Sequence, residues 1–228
     1  FSLFLLLLNL FQPAFATDTY KIDIFVDSSQ RVINGTNEIT IFNNSKEGVD
    51  TLYFLLGLNN SYDTKMKVTE VSTSNDVLLP GSFYHHRYLG KEVEDRAIYQ
   101  VSLPNTLNPG ESIILKMKFE VANLSKTNNI LFLDDNIDDL YIGSWYPRLI
   151  PFSNGNWKKR DFLANNYEIN ISVSPDEVIA ASGIEFSTEN IREKGIKKVS
   201  YKIDNSRAFA FAISKYISSV TEELKEGI

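Results

Sequence analysis

Residues 20–27 read Tyr-Lys-Ile-Asp-Ile-Phe-Val-Asp, and this octet decides the fold class. Tyr20, Ile22, Ile24 and Val26 alternate with Lys21, Asp23, Phe25 and Asp27, which is the period of a strand with one buried face. The same alternation returns at Leu115, Met117, Phe119 and Val121, at Tyr167, Ile169, Ile171 and Val173, and at Val199, Tyr201 and Ile203. Further β-type runs cover 39–42, 52–56, 97–103 and 209–213. Turn pairs separate them: Asn34-Gly35, Pro80-Gly81, Pro109-Gly110, Asn154-Gly155 and Ser182-Gly183. Apolar residues nowhere hold a 3.6-residue period over three turns; only 218–226 could coil, and with almost no apolar face. The pattern predicts an all-β domain, an antiparallel β-sandwich or saddle-like sheet of many short strands.

A chain of 228 residues, 43 % of them hydrophobic, suits one medium domain with a core of its own. A net charge of −6 argues against a nucleic-acid platform. The absence of cysteine excludes disulfides, cysteine-based zinc sites, iron–sulfur clusters and thiol nucleophiles. Two histidines, His85 and His86, cannot form a three-histidine metal site. Being adjacent, they would point to opposite faces of a strand and cannot make the zinc pair of a helical H-E-x-x-H. They read as exposed or half-buried loop residues.

Residues 1–11 are apolar except for Ser2 and Asn9, but a membrane-spanning helix needs about 20 apolar residues. Pro13 and then Ala14-Phe15-Ala16 follow, with the small-x-small spacing of a signal-peptidase site. Residues 1–16 are therefore expected to be part of a secretory signal, with a clipped membrane anchor over 1–11 as the alternative. Either reading exports the body, 17–217, as a secreted, periplasmic or cell-surface protein. Lack of cysteine suits a bacterial source.

Other chemistry finds weak support. Asp134, Asn136 and Asp138 resemble the start of a calcium loop, yet the sixth and twelfth positions hold Asp139 and Trp145 instead of Gly and Glu. A solvated acidic loop is the plainer reading. Glycoside hydrolysis would draw two carboxylates from Asp134, Asp135, Asp138, Asp139 and Glu177, with nothing in their spacing to pair them. Nucleophile-elbow, Walker and dinucleotide-loop motifs are missing. Trp157-Lys158-Lys159-Arg160 reads as a solvated turn, and the five N-x-S/T sequons, at Asn34, Asn43, Asn59, Asn123 and Asn170, carry little in a chain so rich in these residues. The segment 140–152 is different: Trp145, Tyr146 and Arg148 crowd beside Gly143, and Pro147 and Pro151 prevent a regular central strand. Such residues favour buried contacts with a partner or ligand; the other reading is a loop folded over its own core.

The chain resembles the N-terminal β-domain of the aminopeptidase N-like zinc metallopeptidases, from about Tyr20 onward. The resemblance is carried by YKIDIFVDSSQRVINGTNEITIFNNS (20–45), with a Gly at the hairpin turn, and by LNPGESIILKMKFE (107–120). It continues in GSWYPRLIPFSNGNW (143–157), NNYEINISVSPDEVIAASG (165–183) and AFAFAISKY (208–216). It implies a scaffold domain whose partner is a catalytic domain of the same polypeptide, with 218–228 leading into it. Zinc, the H-E-x-x-H helix and the Gly-x-Met-Glu-Asn loop would belong to that second domain, so no catalytic or metal residue is expected here. The resemblance further implies that Trp145, Tyr146 and Arg148 form part of a wall facing the peptide substrate, although Gly143-Ser144-Trp145 lacks the family's Gln. The rival expectation is a stand-alone exported module binding a glycan or peptide through the aromatics of 145–152.

Overall fold

The computed structural model describes residues 17–60, 65–122, 140–142, 145–153, 155–158 and 163–216. The expected signal at 1–16, the acidic loop 134–139, the cations Lys159 and Arg160, the sequon at Asn123 and the lead-out 218–228 lie outside the described residues. In chain order the strands are β1 (Thr19–Asp27), β2 (Val32–Phe42), β3 (Val49–Leu55), β4 (Lys65–Thr73), β5 (Gly81–Tyr88), β6 (Lys91–Leu107), β7 (Ser112–Ala122) and β8 (Leu140–Ile142). They continue with β9 (Arg148–Leu149), β10 (Phe152–Ser153), β11 (Asn156–Trp157), β12 (Asn165–Val173), β13 (Val178–Ala181), β14 (Ile184–Ile191), β15 (Ile196–Ser206) and β16 (Phe211–Ser214). The helical elements among the described residues are two 3-10 turns, Gly57–Asn60 and Arg192–Lys194. The fold is all-β, as the period-two runs predict.

A seven-stranded sheet in the order β14-β15-β12-β1-β2-β7-β4 forms one layer. A four-stranded sheet, β5-β6-β3-β9, and a three-stranded one, β13-β16-β8, supply the other side of the core, and β10 and β11 form a small hairpin. One hydrophobic cluster takes Ile22, Met117 and Ile169 from the large sheet, Phe54 and Val101 from the second, and Ile179 and Ile213 from the third. Antiparallel pairing prevails with one exception: β1 lies parallel to β12, Thr19 opposite Asn166 and Phe25 opposite Ser172. The first strand thus occupies the middle of the sheet, between its hairpin partner and a strand from the far end of the chain.

The expected turn at Asn34-Gly35 is not one. The β1–β2 hairpin turns at 28–31, where the Asp27 carboxylate accepts the Ser29 hydroxyl at 2.7 Å and the Gln30 N–H at 2.9 Å, and Arg31 takes φ +56°. Gly35 sits inside β2, opposite Ile24 and Phe119. A Cβ there would lie 2.6 Å from the Phe119 ring and 2.8 Å from Ile24 Cγ2. This glycine is kept by close packing of a ring over the backbone.

The outward face of the large sheet is polar and ordered by sign. Adjacent strands place Lys202, Glu168, Lys21, Glu38 and Lys116 opposite one another in a single row of alternating charge. Every carboxylate in the row lies between two ammonium groups. Each pair contributes only about 0.2–1 kcal/mol, but the row keeps five of the seven strands polar at that level.

Candidate functional site

The segment expected to contact substrate, Trp145 to Arg148, lies inside the described fold. Trp145 and Tyr146 are fully buried and Arg148 is 7 % exposed. The reason is visible bond by bond. Trp145 Nε1–H donates to the carbonyl of Phe209 at 3.0 Å, on the approach to β16. The hydroxyls of Tyr146 and Tyr167 share a hydrogen bond at 3.1 Å, tying the segment to β12. Asn37 Nδ2, at the centre of β2, donates to the carbonyl of Pro147 at 3.1 Å. The Leu149 N–H donates to the Tyr20 hydroxyl of β1 at 3.0 Å, and the Ile150 N–H to the Tyr53 carbonyl of β3 at 2.8 Å. The Arg148 guanidinium donates to the carbonyl of Arg207.

One proline-interrupted loop therefore ties together strands from both layers. Pro147 and Pro151 keep it from joining a ladder over any length, and only Arg148–Leu149 pairs as β9 against β3. Its rings complete an aromatic centre. Tyr20 stacks on Tyr167 at 5.2 Å, and Trp145 meets Tyr146 at 4.9 Å and Phe211 at 5.1 Å edge-on. Of the two readings of this segment, the loop folded over its own core describes the side chains.

Burial pushes the Tyr20 hydroxyl up, aided by the nearby Asp18 carboxylate, and burial likewise raises that of Tyr146 well above the ordinary tyrosine range. Both stay protonated and serve as hydrogen-bonding groups rather than as acids or bases near neutrality. Among the described residues no three His, Cys, Asp or Glu side chains gather where a metal could be held. His85 and His86 stand on β5, on opposite faces, with His85 Nε2 3.8 Å from the Glu94 carboxylate. Two sequon asparagines are spent internally: Asn43 donates to the carbonyls of Glu47 and Leu107, and Asn59 to those of Met66 and Arg96.

The surface feature that the sequence reading missed is a strip of aromatic rings that runs from the β10–β11 hairpin onto the four-stranded sheet. Phe152 and Trp157 lie 4.9 Å apart, Trp157 and Tyr53 4.8 Å, Tyr53 and Tyr84 5.7 Å, and Tyr84 and His86 6.2 Å. All five are half-buried. Beyond them the β5–β6 hairpin runs to a tip where Tyr88 is 62 % and Leu89 87 % exposed. Leu89 (φ +50°) and Gly90 (φ +79°) form its two-residue turn. β5 holds no run of aliphatic residues; the readable signal was Tyr84, His86 and Tyr88 at every second position.

No known family profile matches the chain, and no curated protein matches it. Solved structures do. The M1 zinc metallopeptidase from Deinococcus radiodurans aligns at TM-score 0.57 and 14 % identity, over 87 % of this chain and 41 % of that one. A point mutant of the same peptidase bound to a Tyr-Ser-Ala substrate aligns at TM-score 0.57 and 13 % identity, and a point mutant of a two-domain M1 zinc metallopeptidase bound to L-arginine at 0.57 and 14 %, each over 87 % of this chain and 42 % of theirs. At this identity the likeness is one of fold, and this chain spans less than half the length of those peptidases.

Proposed function

We propose that this chain is the non-catalytic β-domain of an exported zinc-dependent aminopeptidase, a scaffold beside a catalytic domain that releases N-terminal residues from peptides. The observation that carries the reading is the fold match itself, which takes in 87 % of this chain but only 41–42 % of the metallopeptidase. In this reading zinc and its ligands belong to the second domain, where the metal would polarise water and a glutamate would serve as base. Export rests on the signal-like residues 1–16.

The two sides of the fold differ as a docking domain requires. The large sheet turns its alternating charge row to water, while the four-stranded sheet carries the aromatic strip and the Tyr88–Leu89 tip. Aromatic side chains are the groups that dominate interfaces, so the strip side is the one to meet a partner domain. Trp145, Tyr146 and Arg148 would contribute to a substrate wall from behind, by holding the loop 140–150 in place rather than by touching the peptide. The rival binding module would have to work through Phe152, which stays half-buried in the strip, rather than through the enclosed Trp145 indole.

The test is to read the coding sequence past the Ile228 codon, express the extended product with zinc, and assay release of N-terminal residues from peptide amides. An open frame containing H-E-x-x-H and an active product support the proposal. A frame that closes without that motif overturns it.

A further inference from the structure

A polar cavity lies away from both the buried loop and the aromatic strip. It holds about 330 Å³ where three turns meet: 28–31 after β1, 174–177 after β12, and 192–195 before β15. Both signs of charge line it, Asp27 and Glu177 against Lys194 and Lys215. Phe25 and Ile196 form its apolar part.

Two of its polar groups are built into the fold. Glu177 is only 4 % exposed, and its carboxylate accepts the Ser174 N–H at 3.0 Å. Asp27 is held ionised by the Ser29 hydroxyl and the Gln30 N–H. Other capacity is unused. The Ser28 hydroxyl oxygen is enclosed without a hydrogen-bond partner among the described residues. Lys194 makes no ion pair among the described residues, whereas Lys215 already pairs with Asp176 at 2.8 Å.

We propose that this cavity binds a small zwitterion, a free amino acid or dipeptide with an apolar side chain. Its ammonium is received by Asp27 and Glu177, its carboxylate by Lys194, and its side chain by Phe25 and Ile196. A neutral ligand answers these groups with hydrogen bonds alone, whereas a dipolar ligand also meets each sign of charge with the opposite one. The volume is at the lower end of small-molecule sites, about 300–1,000 Å³. The site stands on this chain alone and does not depend on the peptidase reading.

The experiment titrates the 228-residue chain with Ala-Leu dipeptide, its N-acetylated amide and glucose, following backbone amide shifts. Saturable shifts confined to 25–29, 174–177 and 194–196, with the blocked peptide weaker by about tenfold or more, are expected. Lys194→Met, an exposed substitution that leaves the other amide shifts in place, should weaken the dipeptide and not the residual binding of the blocked form. Absence of shifts with the dipeptide, or equal shifts with the blocked peptide or glucose, overturns the proposal.

Discussion

The indole of Trp145 and the backbone of Phe209, 64 positions apart in sequence, are joined by a hydrogen bond of 3.0 Å inside the core. That bond couples the proline-interrupted loop to the start of the closing strand, and the ring itself touches Phe119, Tyr146, Phe209 and Phe211.

Trp145→Ala is accordingly expected to destabilise the domain by about 3–5 kcal/mol, the range for deleting a buried large ring. Trp145→Phe keeps much of the volume but orphans the Phe209 carbonyl, for about 1–3 kcal/mol. Urea unfolding of both variants measures this. The two tryptophans also separate optically. Trp157→Phe should leave a blue-shifted emitter shielded from acrylamide, and Trp145→Phe should leave a more quenchable one.

Gly35→Ala drives a methyl group into the Phe119 ring at 2.6 Å. A loss of about 1–3 kcal/mol is expected from overpacking. Phe119→Leu in the same chain should recover part of it, so the double mutant is more stable than the sum of the two losses predicts. Strict additivity in thermal melts would show that the ring does not set the requirement for glycine.

Asp18 gives the domain a pH dependence. Its carboxylate accepts the Phe42 N–H at 2.9 Å, but burial outweighs that bond and raises its pKa from 3.8 to about 6. With the folded value above the unfolded one, its contribution is favourable below about pH 4 and is lost as pH rises through about 6. Asp27 and Asp176 are shifted downward and titrate below that window. Asp18→Asn should therefore be nearly neutral at pH 4 and stabilising at pH 7.5, by up to about 3 kcal/mol. Chemical denaturation at the two pH values reads the difference.

Leu89 breaks two local rules at once, a positive φ and near-complete exposure. Leu89→Asn restores the Asn-Gly pair that such a two-residue turn favours and should stabilise the isolated chain by about 1 kcal/mol. If the tip contacts a partner domain, the same change should weaken that association. A higher melting point for the chain, with looser assembly of the extended protein, is the expected pair of results.

Four strands of the large sheet were legible because they bury chiefly one face. In β1, β7, β12 and β15 each inward residue is flanked by a polar one, so the period survives in the sequence. Elsewhere the periodicity is diluted. β5 is exposed or half-buried throughout, and β14 is exposed along nearly its whole length, so neither had to be aliphatic. The Asn34-Gly35 signal misled because a glycine can be needed for ring packing as well as for turning. The loop at 145–150 was recognisable as unusual, yet its inward direction was not, since the bonds from Asn37, Tyr20 and Phe209 come from positions scattered along the whole chain. No local pattern encodes such contacts.

The parallel pairing of β1 with β12 bears on how the chain can be made. During synthesis β1 and β2 emerge early and can join as a hairpin, but the other edge of β1 has no partner until residues 166–172 leave the ribosome. Until then the future centre of the sheet is an open edge carrying Tyr20, Ile22 and Ile24. Such an edge is a template for pairing with a neighbouring chain. Any product cut short of Val173 would keep that edge permanently, so truncations there should yield aggregates rather than smaller folded domains.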